Sequence, residues 1–352
     1  MDRILYIGRL NSGKPKDADG VQIKNQVFVH HLRNYFKVRV IDLDDLRAKC
    51  KFLTYPKICW TLVCHILLGG GIFIASGGSS SSCKLIRLAK KISFGNPIII
   101  VGLGGNMHLY ITASQENIDS LKGCTAIMAE GKEMVQTMHK AGLKQAMYVP
   151  NCKEINYLPK KVFHQHDILR FVFFARINPA KGCDIIFEAI DILNKDGYKN
   201  KFSVDFYGYK LESYAKDFDK KIALLGNNIN YQGARLATNP ETFDELASYD
   251  VMLFPTYWKD EGFPGTIIDA YVAGLPVIAS DWKCNGELIK DYKNGFLIPS
   301  KDSKALAEKM KWFIEHAYVV PGMAKRIQFE AKNYDIRNVL NEDFLKSIGL
   351  NV

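Results

Sequence analysis

The sequence lacks the short cysteine spacings that mark zinc sites and redox centres. It contains eight cysteines, scattered from Cys50 to Cys284 with no Cys-x-x-Cys pair among them. Scattered, unpatterned cysteines are typical of proteins kept in a reducing compartment. We therefore expect a cytoplasmic protein with no metal site.

An export signal and a clear membrane span are also missing. The opening MDRILYIGRL reads as a short strand, without the charged region, apolar stretch and cleavage site of a signal peptide. Residues 58–76 approach the length of about 20 apolar residues that a spanning helix needs. However, His65 and the glycines at 69–71 interrupt this segment. A helix, a turn and a strand explain the same composition, so we expect no span.

Motifs for nucleic acids and dinucleotides are absent or incomplete. No helix-turn-helix, zinc finger or aromatic RNA-binding signature is present, so we expect no nucleic-acid partner. Gly102, Gly104 and Gly105 hint at a phosphate loop, but Met107 stands where Gly-x-Gly-x-x-Gly needs its third glycine. We expect no helix to begin there. A dinucleotide-dependent oxidoreductase remains an alternative.

The excess of positive charge lies in the first half of the sequence. Residues 1–160 hold 22 Lys and Arg against 11 Asp and Glu, whereas residues 161–352 hold 25 against 26. A basic field of this kind attracts anionic lipid surfaces and phosphorylated ligands. Lys84, Arg87 and Lys91 have the spacing of one helix face, which suits a helix at a membrane surface. The alternative is a solvated face. We expect the basic half to contact an anionic membrane, which makes the protein peripheral at its inner face.

Strands and helices alternate along the whole chain. Short apolar strands at Ile4–Gly8 and Pro97–Gly104 are separated by helical patterns such as Val21–Phe36. The chain has 352 residues, too many for one ordinary domain, and 47% of them are hydrophobic, enough for two cores. The pattern predicts an α/β fold with two domains.

The most informative segment is Glu261–Asp269, which reads EGFPGTIID. It joins a buried strand, predicted at Val251–Trp258, to a helix that begins near Thr266. In open α/β sheets, ligands bind beyond the carboxyl ends of the strands, and a helix amino terminus offers free N–H groups to an anion. Glu261 is therefore a candidate sugar contact. Its alternative, a solvated loop carboxylate, fits poorly because the following Gly-Phe-Pro-Gly restricts the loop.

A second turn of the same kind carries two cations. Arg176 and Lys181 stand between the strand FVFF and a helix, in the segment FARINPAKG. Arg grips a phosphate with a planar fork and Lys adds a point charge, so the pair can neutralise a departing diphosphate. The alternative is a pair of surface charges that close a loop.

Together, FARINPAKG, YQG, EGFPGTIIDAYVAGLPVIASD and NGFLIPSKD resemble the donor domain of the family 4 retaining glycosyltransferases of bacterial polysaccharide synthesis. The resemblance extends into the first half through VPNC at 149–152. It implies the GT-B fold: two facing Rossmann-like domains with parallel sheets and an interdomain cleft. Residues 1–160, joined by a helix at about 333–352, would form the acceptor-side domain. Residues 161–332 would bind the nucleotide-sugar donor.

The resemblance assigns roles to residues of the second half. Arg176 and Lys181 would hold the diphosphate, and Glu261 would contact the transferred sugar. Asp269 takes the second position of the Glu-x(7)-Glu motif, where the family binds ribose, but it is one methylene shorter than Glu. Its alternative is a capping box with Thr266. The implied substrate-binding residues here are Gly233, Gly262, Phe263, Pro264, Gly265, Thr266 and Asp269.

The family also has a functional histidine in its first domain. The comparable loop, VGLGGNMH, offers Asn106 and His108. His108 can donate a hydrogen bond or shuttle a proton, although a lone histidine is more often structural. Gly20 begins a predicted helix after a polar loop through Gly13 and Pro15, and the helix N–H groups there can meet a phosphate.

The resemblance also implies a retaining transfer reaction. The acceptor hydroxyl would attack from the front face, and the leaving phosphate would take its proton. The donor would be a UDP-, GDP- or dTDP-sugar, and the acceptor a glycan or a polyprenyl-diphosphate-linked saccharide. No cofactor is needed, since Arg176 and Lys181 neutralise the diphosphate. Asp42-Leu-Asp44 matches the Asp-x-Asp pattern of metal-dependent transferases, and we interpret it as a coincidence. A decayed protein that only binds carbohydrate or nucleotide is the other alternative.

Overall fold

A computed structural model describes residues 3–10, 20–45, 54–76, 80–93, 95–163 and 168–352. The chain divides into two compact units, the first comprising Met1–Glu154 with Tyr334–Val352 and the second Ile155–Asn333. The predicted loop through Gly13 and Pro15 lies outside the described residues, as does Cys50.

The first unit alternates strands and helices, as the sequence pattern predicts. Its strands are β1 (Arg3–Gly8), β2 (Lys37–Asp42), β3 (Gly71–Ser76), β4 (Ile98–Gly102), β5 (Ala126–Ala129) and β6 (Ala146–Tyr148). Its helices before the second unit are α1 (Gly20–Leu32), α2 (Thr54–Ile66), α3 (Ser80–Ile92), α4 (Met107–Thr112), α5 (Gln115–Leu121) and α6 (Lys132–Lys140).

The second unit repeats the same alternation. Its strands are β7 (Leu169–Phe174), β8 (Phe202–Tyr207), β9 (Ile229–Tyr231), β10 (Val251–Phe254), β11 (Val277–Ser280) and β12 (Gly295–Ile298). Its helices are α7 (Cys183–Lys195), α8 (Glu212–Leu225), α9 (Pro240–Ala247), α10 (Gly265–Val272), α11 (Asn285–Leu288), α12 (Ser303–Glu315) and α13 (Val320–Ala331).

Each unit is built on a six-stranded parallel sheet. The strand orders are β2-β1-β3-β4-β5-β6 and β12-β11-β10-β7-β8-β9. Parallel sheets are covered on both faces, which is why strands such as β4 and β10 are apolar and fully buried. The strand order reverses between β1 and β3 in one sheet and between β7 and β10 in the other. Such a reversal opens a crevice at the carboxyl ends of the strands, where α/β proteins bind ligands.

The end of the chain returns to the first unit through two short helices, α14 (Ile336–Val339) and α15 (Glu342–Ser347). Backbone hydrogen bonds join this tail to residue 153, because Lys153 N donates to Tyr334 O at 2.9 Å and Ile336 N donates to Lys153 O at 2.8 Å. The tail side chains that enter the core of the first sheet are Ile336, Leu340, Leu345, Ile348 and Leu350. The first core is therefore completed by residues from the far end of the chain.

One expectation for the first unit is wrong. A helix does begin at Met107, where the sequence predicted none. Gly104 has a left-handed backbone (φ +79°), which turns the chain sharply after β4. The Met107 side chain is then buried, and a Cβ on Gly102 would lie only 2.7 Å from its Sδ. The turn and this close packing start the helix without a local capping signal.

The apolar segment 58–76 is divided among α2, a turn at Gly69 and Gly70, and β3. In the described part of the chain, no helix is long and apolar enough to cross a membrane. The cysteines with described positions are all free thiols. Burial raises the pKa of Cys124, Cys152 and Cys183 to about 12, so these thiols stay protonated at neutral pH.

Candidate functional site

The candidate site of the second unit lies at the reversal of its strand order. Strands β7 and β10 are neighbours there. The loop after β7 carries Arg176 and Lys181, and the loop after β10 carries Glu261. A backbone hydrogen bond from Tyr257 N to Ala180 O, 2.8 Å long, joins the two loops. Two sequence motifs separated by about 80 residues thus meet at one sheet edge.

The loop after β7 has a defined shape that positions Lys181. The Asn178 side chain accepts a hydrogen bond from Ala180 N at 2.9 Å and starts a single 3₁₀ turn, Pro179–Lys181. Gly182 follows with a left-handed backbone and begins α7. Because proline and the Asn178 cap both restrict the turn, Lys181 leaves the backbone in a fixed direction.

Gly182 is required for space as well as for conformation. A Cβ at this position would lie 2.7 Å from Pro255 Cγ and closer still to the Pro255 carbonyl oxygen. We expect Gly182→Ala to destabilise the second unit by about 2–4 kcal/mol, because backbone strain and a collision add. The loops that carry Lys181 and Glu261 should also separate, so the nucleotide binding that the family resemblance implies should weaken. Chemical unfolding and calorimetric titration measure the two effects.

Gly197 offers a matched control for that substitution. Its φ of +86° is close to the +92° of Gly182, but a Cβ on Gly197 would meet nothing within 4 Å. Gly197→Ala should therefore cost only the strain, about 1 kcal/mol, and leave nucleotide binding intact. Equal losses for the two variants would show that the close approach to Pro255 has no energetic role.

Lys181 and Glu261 form an ion pair that is largely buried. Lys181 Nζ lies 2.6 Å from Glu261 Oε2. The hydroxyl of Thr256, which is fully buried, donates to the same oxygen at 2.8 Å. An ammonium and a hydroxyl thus converge on one carboxylate oxygen and hold the side chain in place. Thr256 was not among the predicted site residues, although it stands directly after β10 and Pro255.

Further bonds hold the loop that carries Glu261. Ser280 Oγ, at the end of β11, donates to the carbonyl oxygen of Thr256. The indole N–H of Trp282 donates to Trp258 O at 2.8 Å, and Glu261 N donates to the same oxygen at 3.1 Å. The carboxylate therefore projects from a loop that is tied to the neighbouring strand and is preorganised before any ligand arrives.

The helix after this loop does not start as a capping box. Pro264 is the N-cap and α10 begins at Gly265, so Thr266 lies inside the first turn and its side chain caps nothing. The capping alternative for Asp269 is wrong. Phe263 and Pro264 are buried, so their contribution to a site would come from the backbone. Asp269 is buried on α10, one turn after Gly265.

Two further predicted site residues of the second unit, Arg176 and Gly233, lie around Gly208, which follows β8. A Cβ on Gly208 would lie 2.7 Å from the carbonyl carbon of Ala175, so its backbone packs directly on the loop that carries Arg176. Gly208 N donates to Gly233 O at 3.0 Å. Arg176 is exposed and Gly233 has a left-handed backbone (φ +84°). The structure thus places Arg176 and Gly233 on opposite sides of one glycine at the carboxyl edge of the sheet.

In the first unit, the predicted site residues lie at the starts of two helices. Gly20 is exposed and begins α1. Asn106 is the N-cap of α4, without a side-chain capping bond, and His108 is buried on that helix. The backbone carbonyl of His108 accepts a hydrogen bond from Thr112 Oγ1 at 2.8 Å. Both α1 and α4 begin after strands of the same sheet, at its carboxyl edge.

A buried ion pair at this edge was missed by the sequence analysis. Lys24 Nζ, on α1, lies 2.7 Å from Glu130 Oε1 and 3.1 Å from the carbonyl oxygen of Gly102. Lys24 is 3% exposed and Glu130 is 6% exposed. In the structure, Lys24 and Asn25 share the buried face of α1 with Phe28. Glu130 stands 106 residues away, directly after β5.

The carboxylates of Asp42 and Asp44 take part in protein contacts. Asp42 Oδ1 accepts from Leu10 N at 3.2 Å and from Asp44 N at 3.0 Å. Asp44 accepts from Arg9 Nε at 3.0 Å and from the Gln22 amide at 2.8 Å. Within the described ranges, no group of three or more His, Cys, Asp or Glu has the arrangement of a metal site.

Comparison with known proteins decides the family. The sequence profile of the family described as "Glycosyl transferases group 1" matches residues 156–334, about half of the chain. The chain belongs to this family. The matched segment contains both loops of the β7 and β10 crevice, with Lys181 and Glu261. The predicted resemblance to family 4 glycosyltransferases is confirmed.

Three bacterial glycosyltransferases are similar to the chain in sequence. The amylovoran biosynthesis glycosyltransferase AmsK of Erwinia amylovora is 29% identical over 40% of this chain and 35% of its own. The N,N'-diacetylbacillosaminyl-diphospho-undecaprenol α-1,3-N-acetylgalactosaminyltransferase of Campylobacter jejuni is 28% identical over 34% of this chain and 30% of its own. The capsular polysaccharide biosynthesis glycosyltransferase CapH of Staphylococcus aureus is 23% identical over 74% and 78%. The chain thus spans about a third of the first two relatives it matches.

A solved structure extends the similarity to both units of the chain. Anabaena HepE, solved in complex with UDP and glucose, matches 99% of each chain with a TM-score of 0.70 at 17% identity. At that identity the likeness concerns the fold alone. The two six-stranded parallel sheets have the GT-B fold, as predicted.

Proposed function

We propose that the protein is a retaining glycosyltransferase of bacterial cell-surface polysaccharide synthesis. It moves a sugar from a nucleotide-sugar donor to a glycan or to a polyprenyl-diphosphate-linked saccharide. Membership of the group 1 family and similarity to polysaccharide biosynthesis glycosyltransferases support this proposal. We place the reaction in the cytoplasm, where nucleotide-sugars are available, with residues 161–332 as the donor side and residues 1–160 with 333–352 as the acceptor side.

One observation carries the proposal: the Lys181, Glu261 and Thr256 cluster at the reversal of strand order in the second sheet. When a nucleoside diphosphate leaves the anomeric carbon, negative charge grows on the phosphate and positive charge grows on the sugar ring. A cation and a carboxylate side by side match this charge separation. Lys181 and the exposed Arg176 would stabilise the diphosphate, and Glu261 would stabilise the sugar.

The role of Glu261 follows from its bonds. Its Oε2 already accepts from Lys181 and from Thr256, so the side chain is held for electrostatic stabilisation and hydrogen bonding. We therefore assign no nucleophilic step to it. The acceptor hydroxyl attacks the anomeric carbon on the face from which the diphosphate departs, and its proton passes to the leaving phosphate oxygen. The new bond then keeps the configuration of the donor.

The start of α10 would contribute to donor binding through its backbone. Gly265 and Thr266 are its first helical residues, and neither N–H has a partner within the helix. Free N–H groups at a helix amino terminus bind phosphate well. Gly262, Phe263 and Pro264 would continue this backbone surface. Asp269, one turn further, would meet the ribose, and Gly233 would line the nucleotide on its other side.

Donor and acceptor classes follow from relatives and from the first unit. HepE was solved with UDP and glucose, and the Campylobacter relative is named for a diphospho-undecaprenol acceptor. We extend both to this chain as part of the proposal. Gly20, Asn106 and His108, at the carboxyl edge of the first sheet, would face the acceptor and its phosphate.

A panel of UDP-, GDP- and dTDP-sugars tests the proposal. We expect hydrolysis or transfer from at least one donor, with the anomeric configuration of the product retained in proton NMR spectra. Inversion would exclude the mechanism. Saturable nucleotide binding without turnover on any acceptor would identify a decayed binding protein, and binding of NAD alone would identify an oxidoreductase.

A further inference from the structure

Helix α2 carries an apolar stripe on its outer side. Trp60 is 71% exposed, Val63 is 40% exposed and Leu67, just after the helix, is 76% exposed. Their spacings of three and four residues place them along one face. We call these residues, with the exposed Leu68, the α2 stripe. Their exposure shows that no described part of the chain covers them.

The α2 stripe is additional to the face that holds the helix on the sheet. Ile58, Leu62 and Ile66 are buried and supply the packing face that such a helix needs. A helix on the surface of a soluble domain usually has polar residues opposite its packing face. In α2 the opposite side contains tryptophan, valine and leucine, so folding of the unit does not explain their presence.

The surroundings of the stripe are basic. Residues 46–115 contain eight Lys and Arg and no Asp or Glu. Lys57 lies one turn before Trp60 on the same face of α2. Helix α3 packs beside α2 and presents Lys84 and Lys91 as exposed cations. Arg87, the third cation of that face, forms an ion pair with Glu116 of α5.

We propose that the α2 stripe inserts into the headgroup region of an anionic lipid bilayer, with Lys57, Lys84 and Lys91 against the lipid phosphates. Tryptophan and leucine beside lysine is the combination that interfacial helices use. Charge complementarity favours a lipid bilayer as the partner of the stripe, because anionic lipids supply negative charge opposite a long segment that has lysines and arginines but no acidic residue. A second copy of the chain would place like charges against each other.

Docking through the α2 stripe deepens the proposed function, since it would keep the enzyme where a lipid-linked acceptor is found. Vesicle binding is measured without donor or acceptor. Loss of vesicle binding with intact turnover would remove only the docking proposal, and loss of turnover with intact vesicle binding would remove only the proposed reaction.

The test is co-sedimentation of the full chain with vesicles of phosphatidylcholine containing phosphatidylglycerol, or with phosphatidylcholine alone. We expect binding to the anionic vesicles at low salt that weakens at high salt. Trp60→Gln combined with Leu67→Gln should lower the partition coefficient at least tenfold. Leu224→Gln combined with Tyr318→Gln is the matched control, because these residues of the second unit are 76% and 77% exposed. The control should bind as the unmodified protein does.

A second readout does not depend on polar variants. Bromine-labelled lipids should quench part of the tryptophan fluorescence, and Trp60→Phe should remove that quenching while the protein still binds. No binding to anionic vesicles at low salt would overturn the proposal. Equal binding by the Trp60 and Leu67 variant would also overturn it. A dimer in sedimentation velocity that this variant abolishes, without vesicle binding, would assign the stripe to a second copy.

Discussion

Replacing Glu261 with glutamine is expected to lower turnover about 10²- to 10³-fold, the range seen when one preorganised transition-state contact is lost. Glutamine keeps the size of the side chain and can still accept from Thr256, which donates to Oε2 at 2.8 Å. It removes the negative charge that would face the positively charged sugar ring. Nucleotide affinity should change little, because the diphosphate is held by other groups. Single-turnover kinetics and calorimetric titration separate the two quantities.

Two comparisons sharpen that result. Asp260→Asn changes the neighbouring exposed carboxylate and should leave turnover unchanged.

Lys181→Met should weaken nucleotide binding, but it also breaks the 2.6 Å ion pair with Glu261. The two substitutions should therefore be non-additive, with a coupling of about 0.5–3 kcal/mol in a double-mutant cycle. Full activity of both single variants would remove the site assignment.

The largest loss of stability is expected for Glu130→Ala. Glu130 is the carboxylate that accepts from Lys24 at 2.7 Å inside the first unit. Its removal leaves an ammonium group buried between the Gly102 carbonyl oxygen, 3.1 Å away, and the ring of Phe28, whose centroid is 5.4 Å away, with no negative charge from Glu130. Breaking a buried pair from one side typically costs about 3–5 kcal/mol, because the remaining charge is uncompensated. Differential scanning calorimetry should show a lower melting temperature for the first unit while the second unit is unaffected.

The control replaces both partners of the buried pair. Lys24→Met combined with Glu130→Leu removes both charges and keeps apolar volume, so most of the lost stability should return. Glu342→Gln breaks the exposed pair with Lys346 in the same unit and should leave the transition unchanged. A Glu130→Ala protein as stable as the original would show that Lys24 finds another partner or reaches water.

The positions of Lys181 and Glu261 in loops after buried strands were predictable because their sequence signals are local. Lys181 and Glu261 each follow a buried strand and stand beside glycine and proline, which restrict the loops. Their contact was not predictable from spacing. It depends on β10 lying next to β7, and strand order is a property of the whole sheet. Thr256 was missed for the same reason, since a threonine after a strand has no special meaning until its partner is known.

Other features depend on burial, which a sequence pattern reports only indirectly. Lys24 lies on a helix that has no other unusual feature in the sequence. Nothing in the sequence connects it with Glu130, which follows a strand much later in the chain. The apolar segment 58–76 correctly predicted a helix, a turn and a strand. It did not indicate that Trp60 and Leu67 stay exposed while Leu62 is buried. Apolar residues on both faces of a helix look the same in the sequence.

The return of residues 334–352 to the first unit has a consequence for synthesis on the ribosome. Domains usually fold in the order in which they are translated. Here the first unit lacks five apolar side chains of its core, from Ile336 to Leu350, until the whole second unit has been made. The unit that is translated first is thus the last to complete its hydrophobic core. During that interval its unfinished core is accessible to chaperones and proteases, and we expect a prematurely terminated chain to be degraded.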